Sequence, residues 1–160
     1  MIHVIMGLKG SGKTKKLIDS INQTVADAQG DVVCIEYGNH LTYDVSYRVR
    51  LVSSKEYGIC NMDMLQGLLS GLHAGNFDIT NVYIDNLYKT IGADRATGEA
   101  FILWCADFAK THNMNITITV SDDPAEASDA VKALLIESAN YTAVNFQRCN
   151  FFVFFSRILW

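Results

Sequence analysis

No two of the four cysteines, Cys34, Cys60, Cys105 and Cys149, stand in the C-x-x-C spacing of a zinc or redox site. The histidines His3, His40, His73 and His112 are equally scattered. Cys34 falls in a strand-like apolar run and Cys105 in a helix-like one, so both are expected as buried free thiols. Excess positive charge is missing too: the formal net charge is -4 and the pI about 5.4. That balance argues against a nucleic-acid surface built from many phosphate contacts. A signal peptide is not expected, because Gly7 to Lys16 is polar where its apolar segment would lie, and a reducing cytoplasm is the expected compartment. No apolar run approaches the roughly 20 residues of a transmembrane helix. Repeats and low-complexity stretches are absent, and 160 residues make one domain with a real core but not two.

What is present is an alternation of strand-like and helix-like stretches. Ile2 to Met6 and Val32 to Tyr37 are short continuous apolar runs, the mark of strands covered on both faces in a parallel sheet. Val82 to Asp85 and Asn115 to Ser121 follow the same pattern. Helical spacing appears in Lys15 to Val25, in Met62 to Ala74 (Asn61 as N-cap, Gly75 as stop) and in Arg95 to His112. On the last of these, Ala100, Leu103, Trp104 and Phe108 make up the apolar set. The only proline, Pro124, follows Asp123 as the opening of a fourth helix running to about Glu137. From Tyr43 to Leu51 the residues alternate with a period of two, which predicts an exposed strand or hairpin arm outside the main sheet. The expected fold is a three-layer α/β unit with a mostly parallel central sheet. It spans residues 1–144, and an apolar aromatic segment at 145–160 follows. Phe151 to Phe155 in that segment suits a terminal strand, a dimer or membrane-surface contact, or an aggregation-prone tail.

The densest chemical signal is Gly7-Leu8-Lys9-Gly10-Ser11-Gly12-Lys13-Thr14, set between the first strand and the first helix. That context is what a phosphate-binding loop requires. Gly7, Gly10 and Gly12 let the backbone curl so that its N–H groups face a β-phosphate, and the helix that follows adds its positive end. Lys13 is expected between the β- and γ-phosphates, and Thr14 on Mg²⁺. Leu8, Lys9 and Ser11 contribute backbone N–H groups. Asp85, ending a buried strand, is placed to hold the metal shell, although an Asp there can equally begin a turn. Position 86 is Asn, so no glutamate follows Asp85 to activate water. Glu36, ending the second strand, is the alternative general base; its competing reading is a solvated charge or a partner of Arg48 or Arg50. Ser121 is placed to sense a γ-phosphate, and Asp123 doubles as a helix cap. Arg95 reads as a solvent-facing arginine or one supplied to a neighbouring copy.

Guanine is disfavoured, since an N-K-x-D segment and a D-x-x-G switch are both absent; ATP remains by elimination. A small-metabolite kinase would need lid arginines, and only Arg48 and Arg50 lie in a suitable segment. Leu69-Ser70-Gly71-Leu72 is no more than an echo of a transporter signature. The phosphate loop, the strand ending in Glu36 and Ile84-Asp85-Asn86 together resemble the P-loop NTPase superfamily, nearest its RecA-like branch. Up to about Leu135 the chain also resembles small bacterial ATP-binding proteins, some labelled after twitching-motility retraction ATPases. This resemblance implies an Mg²⁺-dependent ATP-binding protein with Glu36 as the water-activating residue. The small mass beyond the core suggests slow hydrolysis coupled to a protein partner or to self-association. Phosphotransfer to a metabolite and a non-hydrolysing regulatory module are the alternatives.

Overall fold

The computed structural model describes residues 1–136. Ile2–Gly7 forms β1 and Lys13–Asp27 forms α1; Asp31–Glu36 and Val49–Ser53 are β2 and β3. Met62–Gly75 is α2, Ile79–Ile84 is β4, Leu87–Ile91 is α3 and Arg95–Thr111 is α4. Asn115–Ser121 is β5, and after a 3₁₀ turn at Pro124–Glu126 comes α5, Asp129–Lys132. All five strands are parallel, in the order β1-β5-β4-β2-β3. β5 therefore separates the strand before the glycine loop from the strand before Asp85. Beyond β1, Val4 exchanges backbone hydrogen bonds with residues 134 and 136, which extends the ladder on that side.

Alternate side chains of each strand feed two cores. Val33, Ile35, Val82, Ile84, Ile116, Ile118 and Val120 pack with Leu65 and Leu69 of α2 and with Phe101, Ile102 and Cys105 of α4. Val32, Cys34 and Tyr83 face the other way, against Leu17, Ile21 and Val25 of α1. The result is the expected three-layer α/β arrangement. On the α1 side, the Tyr83 hydroxyl lies 3.2 Å from Ser20 Oγ and 2.7 Å from Thr24 Oγ1, so its polar end is satisfied inside the layer. Cys34 and Cys105 are buried free thiols, and burial pushes both pKa values up.

The structure departs from sequence expectation in four places. The segment 43–51 is not an arm outside the sheet: Val49–Ser53 pairs in parallel with β2, from Val32↔Val49 to Glu36↔Ser53. Upstream of it, Leu41, Val45 and Val49 are the buried positions, spaced by four, and Val45 N–H bonds the Leu41 carbonyl as in a helical turn. Tyr43 and Tyr47, 98% and 97% exposed, produced the misleading alternation. The helix expected from Pro124 is broken in two. Asp123 caps the 3₁₀ turn by accepting from Ala125 N, and Ser128 then accepts from Val131 N to start α5 afresh. The buried stripe of α4 runs through Gly98, Phe101, Ile102, Cys105 and Ala109, while Leu103 stays 40% exposed. Both sets keep helical spacing, and burial by the sheet chose between them. Short α3 gave no periodic signal; Gly92, at φ 60°, ends it in the left-handed conformation. The aromatic segment 145–160 lies outside the described residues. Among the described residues no helix is long and apolar enough to cross a membrane.

Candidate nucleotide site

β1 ends at Gly7, and the chain turns through Leu8–Gly12 into α1. Gly10 and Gly12 have φ 84° and 82°, which L side chains rarely adopt. A Cβ at Gly7 would lie 2.6 Å from Ser11 Oγ, so a larger residue there would force the Ser11 hydroxyl to turn away. Lys13, the first residue of α1, is 8% exposed. Its ammonium folds back along the loop, donating to the Leu8 carbonyl at 2.9 Å and to Ser11 Oγ at 3.5 Å. Burial lowers the Lys13 pKa from the ordinary 10.5, and the Asp85 carboxylate partly opposes that shift. The cation is thus held close to where a loop-bound anion would lie, with only neutral oxygens as hydrogen-bond partners.

Asp85 is carried to the loop by β4. Its backbone N–H bonds the Ile35 carbonyl at 2.9 Å, which continues the β2–β4 ladder to the rim. Its Oδ1 accepts from Thr14 Oγ1 at 3.3 Å and from Thr119 Oγ1 at 2.8 Å. Thr119 in turn accepts from Asn86 N at 2.7 Å. Asn86 sits at φ 50°, in the left-handed region that asparagine enters more readily than most residues, and the Thr119 bond helps to hold it. Sequence reasoning missed Thr119. The available signal was a hydroxyl inside a strand covered on both faces: Thr119 is 1% exposed and must find a partner.

Gly12, Lys13, Thr14, Asp85, Thr119 and Ser121 line one cavity of about 340 Å³, together with Lys9 and Lys15. Three lysines against one carboxylate leave this lining net positive, the right sign for a polyphosphate. The β1–β5 register pairs Gly7 with Ser121, which puts that hydroxyl beside the loop. The hydroxyl of Thr14, the carboxylate of Asp85 and the cavity between them form an oxygen-rich corner of the kind a hard divalent cation takes.

Glu36 stands at the same rim but outside this lining. It is 2% exposed; its Oε2 accepts from the backbone N–H of His40 at 2.8 Å and of Leu41 at 3.2 Å. Arg48 and Arg50 are exposed and do not line the cavity. Arg95 makes a two-pronged pair with Asp122 of its own chain, both bonds 2.7 Å, and reaches Glu126 at 3.3 Å. That pairing holds the Asp122 carboxyl below the ordinary aspartate range. Tyr88 donates to Asp122 at 3.3 Å; burial, with the carboxylate second, pushes its phenol up to about 12.

Among the described residues the fold is that of an α/β protein with an all-parallel five-stranded sheet whose carboxyl-terminal rim carries the glycine loop. No family model and no curated protein matches the chain. Among solved structures it is similar to the monomer form of the pCW3 conjugation coupling protein TcpA with ATPγS, at 15% identity and a TM-score of 0.40. That similarity covers 83% of this chain and 46% of the other, so the chain spans less than half of that protein's length. At such a score the likeness carries no weight for function.

Proposed function

We propose that the protein binds a nucleoside triphosphate, ATP by preference, together with Mg²⁺, and hydrolyses it slowly. One observation carries this reading: Thr14 and Asp85, 71 residues apart in sequence, meet at 3.3 Å inside a lysine-lined cavity roofed by the glycine loop. Gly7, Leu8, Lys9, Gly10, Ser11 and Gly12 supply backbone N–H groups to the phosphates. Lys13 exchanges its bonds to Leu8 and Ser11 for phosphate oxygens, a gain because an anion replaces neutral acceptors. Thr14 and Asp85 hold the ion, Asp85 through a water, and Ser121 meets the terminal phosphate. The ion supplies neutralisation of phosphate charge. Thr119 keeps the Asp85 carboxylate turned toward Thr14. Kinship with the RecA-like branch is part of the same proposal.

Glu36 is assigned the proton-accepting role toward a water. Its oxygens serve the His40 and Leu41 amides, so turnover requires the turn at 38–41 to yield, which accords with slow hydrolysis coupled to a protein partner or a second copy that moves that turn. The same engagement favours one other reading, a module that binds nucleotide without cleaving it. Phosphotransfer to a metabolite draws no comparable support, because Arg48 and Arg50 stand away from the cavity.

Calorimetric titration with ATP, ADP and GTP, with and without Mg²⁺, tests the binding, and ADP release measured on the same sample tests turnover. Saturable Mg²⁺-dependent ATP binding is the expected result. No affinity for any triphosphate in folded protein refutes the proposal, and binding without ADP above a Lys13→Ala control selects the non-cleaving module.

A further inference from the structure

At the other end of the sheet two imidazoles face each other with no part in the nucleotide site. His73 lies in the last turn of α2, and His112 is the C-terminal cap of α4. These helices lead into the starts of β4 and β5, so their C-termini sit at the rim opposite the glycine loop. The six residues of β4 span the distance between the rims, roughly 20 Å. The two ring centroids are 4.2 Å apart, with the planes at 47°. Phe108 packs against both rings, at 6.1 Å from His73 and 4.4 Å from His112, and Phe77 meets His73 edge-on at 5.2 Å.

Packing accounts for rings at these positions, and their nitrogens stay open to solvent and to an ion. Both histidines are half-buried, and among the described residues no hydrogen bond or ion pair engages either imidazole. The local field also favours a cation, since the last turns of two helices converge here with their partly negative carbonyl ends.

We infer that His73 and His112 form a two-imidazole clamp for a divalent first-row transition ion of the Ni²⁺, Cu²⁺ or Zn²⁺ type. Imidazole nitrogens suit these ions, whereas Mg²⁺ takes oxygen. Two imidazoles in neighbouring positions on one ion, with metal–nitrogen distances of about 2.0–2.1 Å, place their centroids roughly 4.5–5.3 Å apart. The observed 4.2 Å lies within about 1 Å of that separation. No third His, Cys, Asp or Glu joins the pair among the described residues, so water completes the coordination shell and the ion exchanges readily. Bound there, it ties α2 to α4 across the layer they share.

The test is calorimetric titration of the full chain, free of nucleotide, with Ni²⁺ and with Zn²⁺, alongside thermal unfolding with and without each ion. The wild type is expected to bind one ion with micromolar affinity and to unfold at a higher temperature in its presence. His73→Gln and His112→Gln each weaken binding by about tenfold or more and lose the thermal shift, because one imidazole alone cannot chelate. His40→Gln leaves both unchanged, as does saturating Mg²⁺. ATP affinity equal to wild type certifies that the two clamp variants are folded, and circular dichroism does so if nucleotide binding itself fails. Undiminished Ni²⁺ and Zn²⁺ binding in both variants, or a millimolar requirement in the wild type, overturns the inference.

Discussion

Glu36→Ala separates the two jobs available to a buried carboxylate at the sheet rim. In the wild type, Oε2 accepts from His40 N at 2.8 Å and Leu41 N at 3.2 Å, within a residue only 2% exposed. Removing the acceptor strands both amides. Each costs about 1–3 kcal/mol when left without a partner, and His40 is exposed enough for water to recover part of its share. The expected loss is therefore about 2–4 kcal/mol. For a chain of this size that lowers the unfolding midpoint by roughly 5–15 °C. Glu36→Gln keeps one oxygen where Oε2 stands, so it should retain the fold and bind ATP with wild-type affinity but release no ADP. Calorimetric unfolding and a coupled ADP assay read the two effects separately. Glu36→Ala as stable as the wild type would refute the assignment of this carboxylate to the 38–41 turn. Unchanged turnover in Glu36→Gln would remove it from the chemistry.

Lys13→Ala should weaken ATP binding by about 10–150-fold, the worth of one hydrogen bond between charged groups, measured by calorimetry. Because burial lowers the Lys13 pKa from 10.5 and phosphate favours the charged form, wild-type affinity should fall as pH rises through that lowered value, before an ordinary lysine would lose its proton; a flat profile up to 10.5 refutes this. Thr119→Val removes the hydroxyl shared by Asp85 and Asn86. It should cost about 1–3 kcal/mol in denaturant unfolding and weaken the Mg²⁺ dependence of ATP binding, while Thr117→Val leaves that dependence unchanged. Asp122 has a folded pKa below its ordinary 3.8, so its contribution is fully present above 3.8 and is lost as pH falls through the folded value. In acid titration followed by circular dichroism, Asp122→Asn should be less stable than wild type near neutrality, and the gap should close below 3.8.

What could be read from the residues alone was whatever depends on local pattern. Four of the five strands, the helices α1, α2 and α4, and the loop from Gly7 to Thr14 all announce themselves through continuous apolar runs, helical spacing or glycine placement. Asn61 was legible as a cap because a side-chain acceptor before a periodic run has one obvious use, and it accepts from Met64 N at 2.9 Å. β3 was obscured because its approach buries Leu41, Val45 and Val49 through turns, while Tyr43 and Tyr47 imitate an alternation. Strand order was not legible at all. It follows from which strands pair across the sheet, and no local pattern records that β5 enters between β1 and β4.

That one topological fact assembles the site. With β5 beside β1, Ser121 falls level with Gly7, and Thr119, two residues earlier on the same face, meets Asp85 from the neighbouring strand. Were β4 to lie directly against β1, the carboxylate would have no intervening strand to supply the hydroxyl that orients it. The inserted strand thus widens the crevice between the glycine loop and Asp85 and lines it with two hydroxyls, at positions 119 and 121. Because side chains alternate along a strand, burial of Ile116, Ile118 and Val120 on one face fixes the hydroxyls of positions 119 and 121 on the other. The double substitution Thr119→Val with Ser121→Ala tests the two hydroxyls with Asp85 and Thr14 untouched: Mg²⁺-dependent ATP binding should fail in folded protein. If binding survives, the inserted strand is only a spacer.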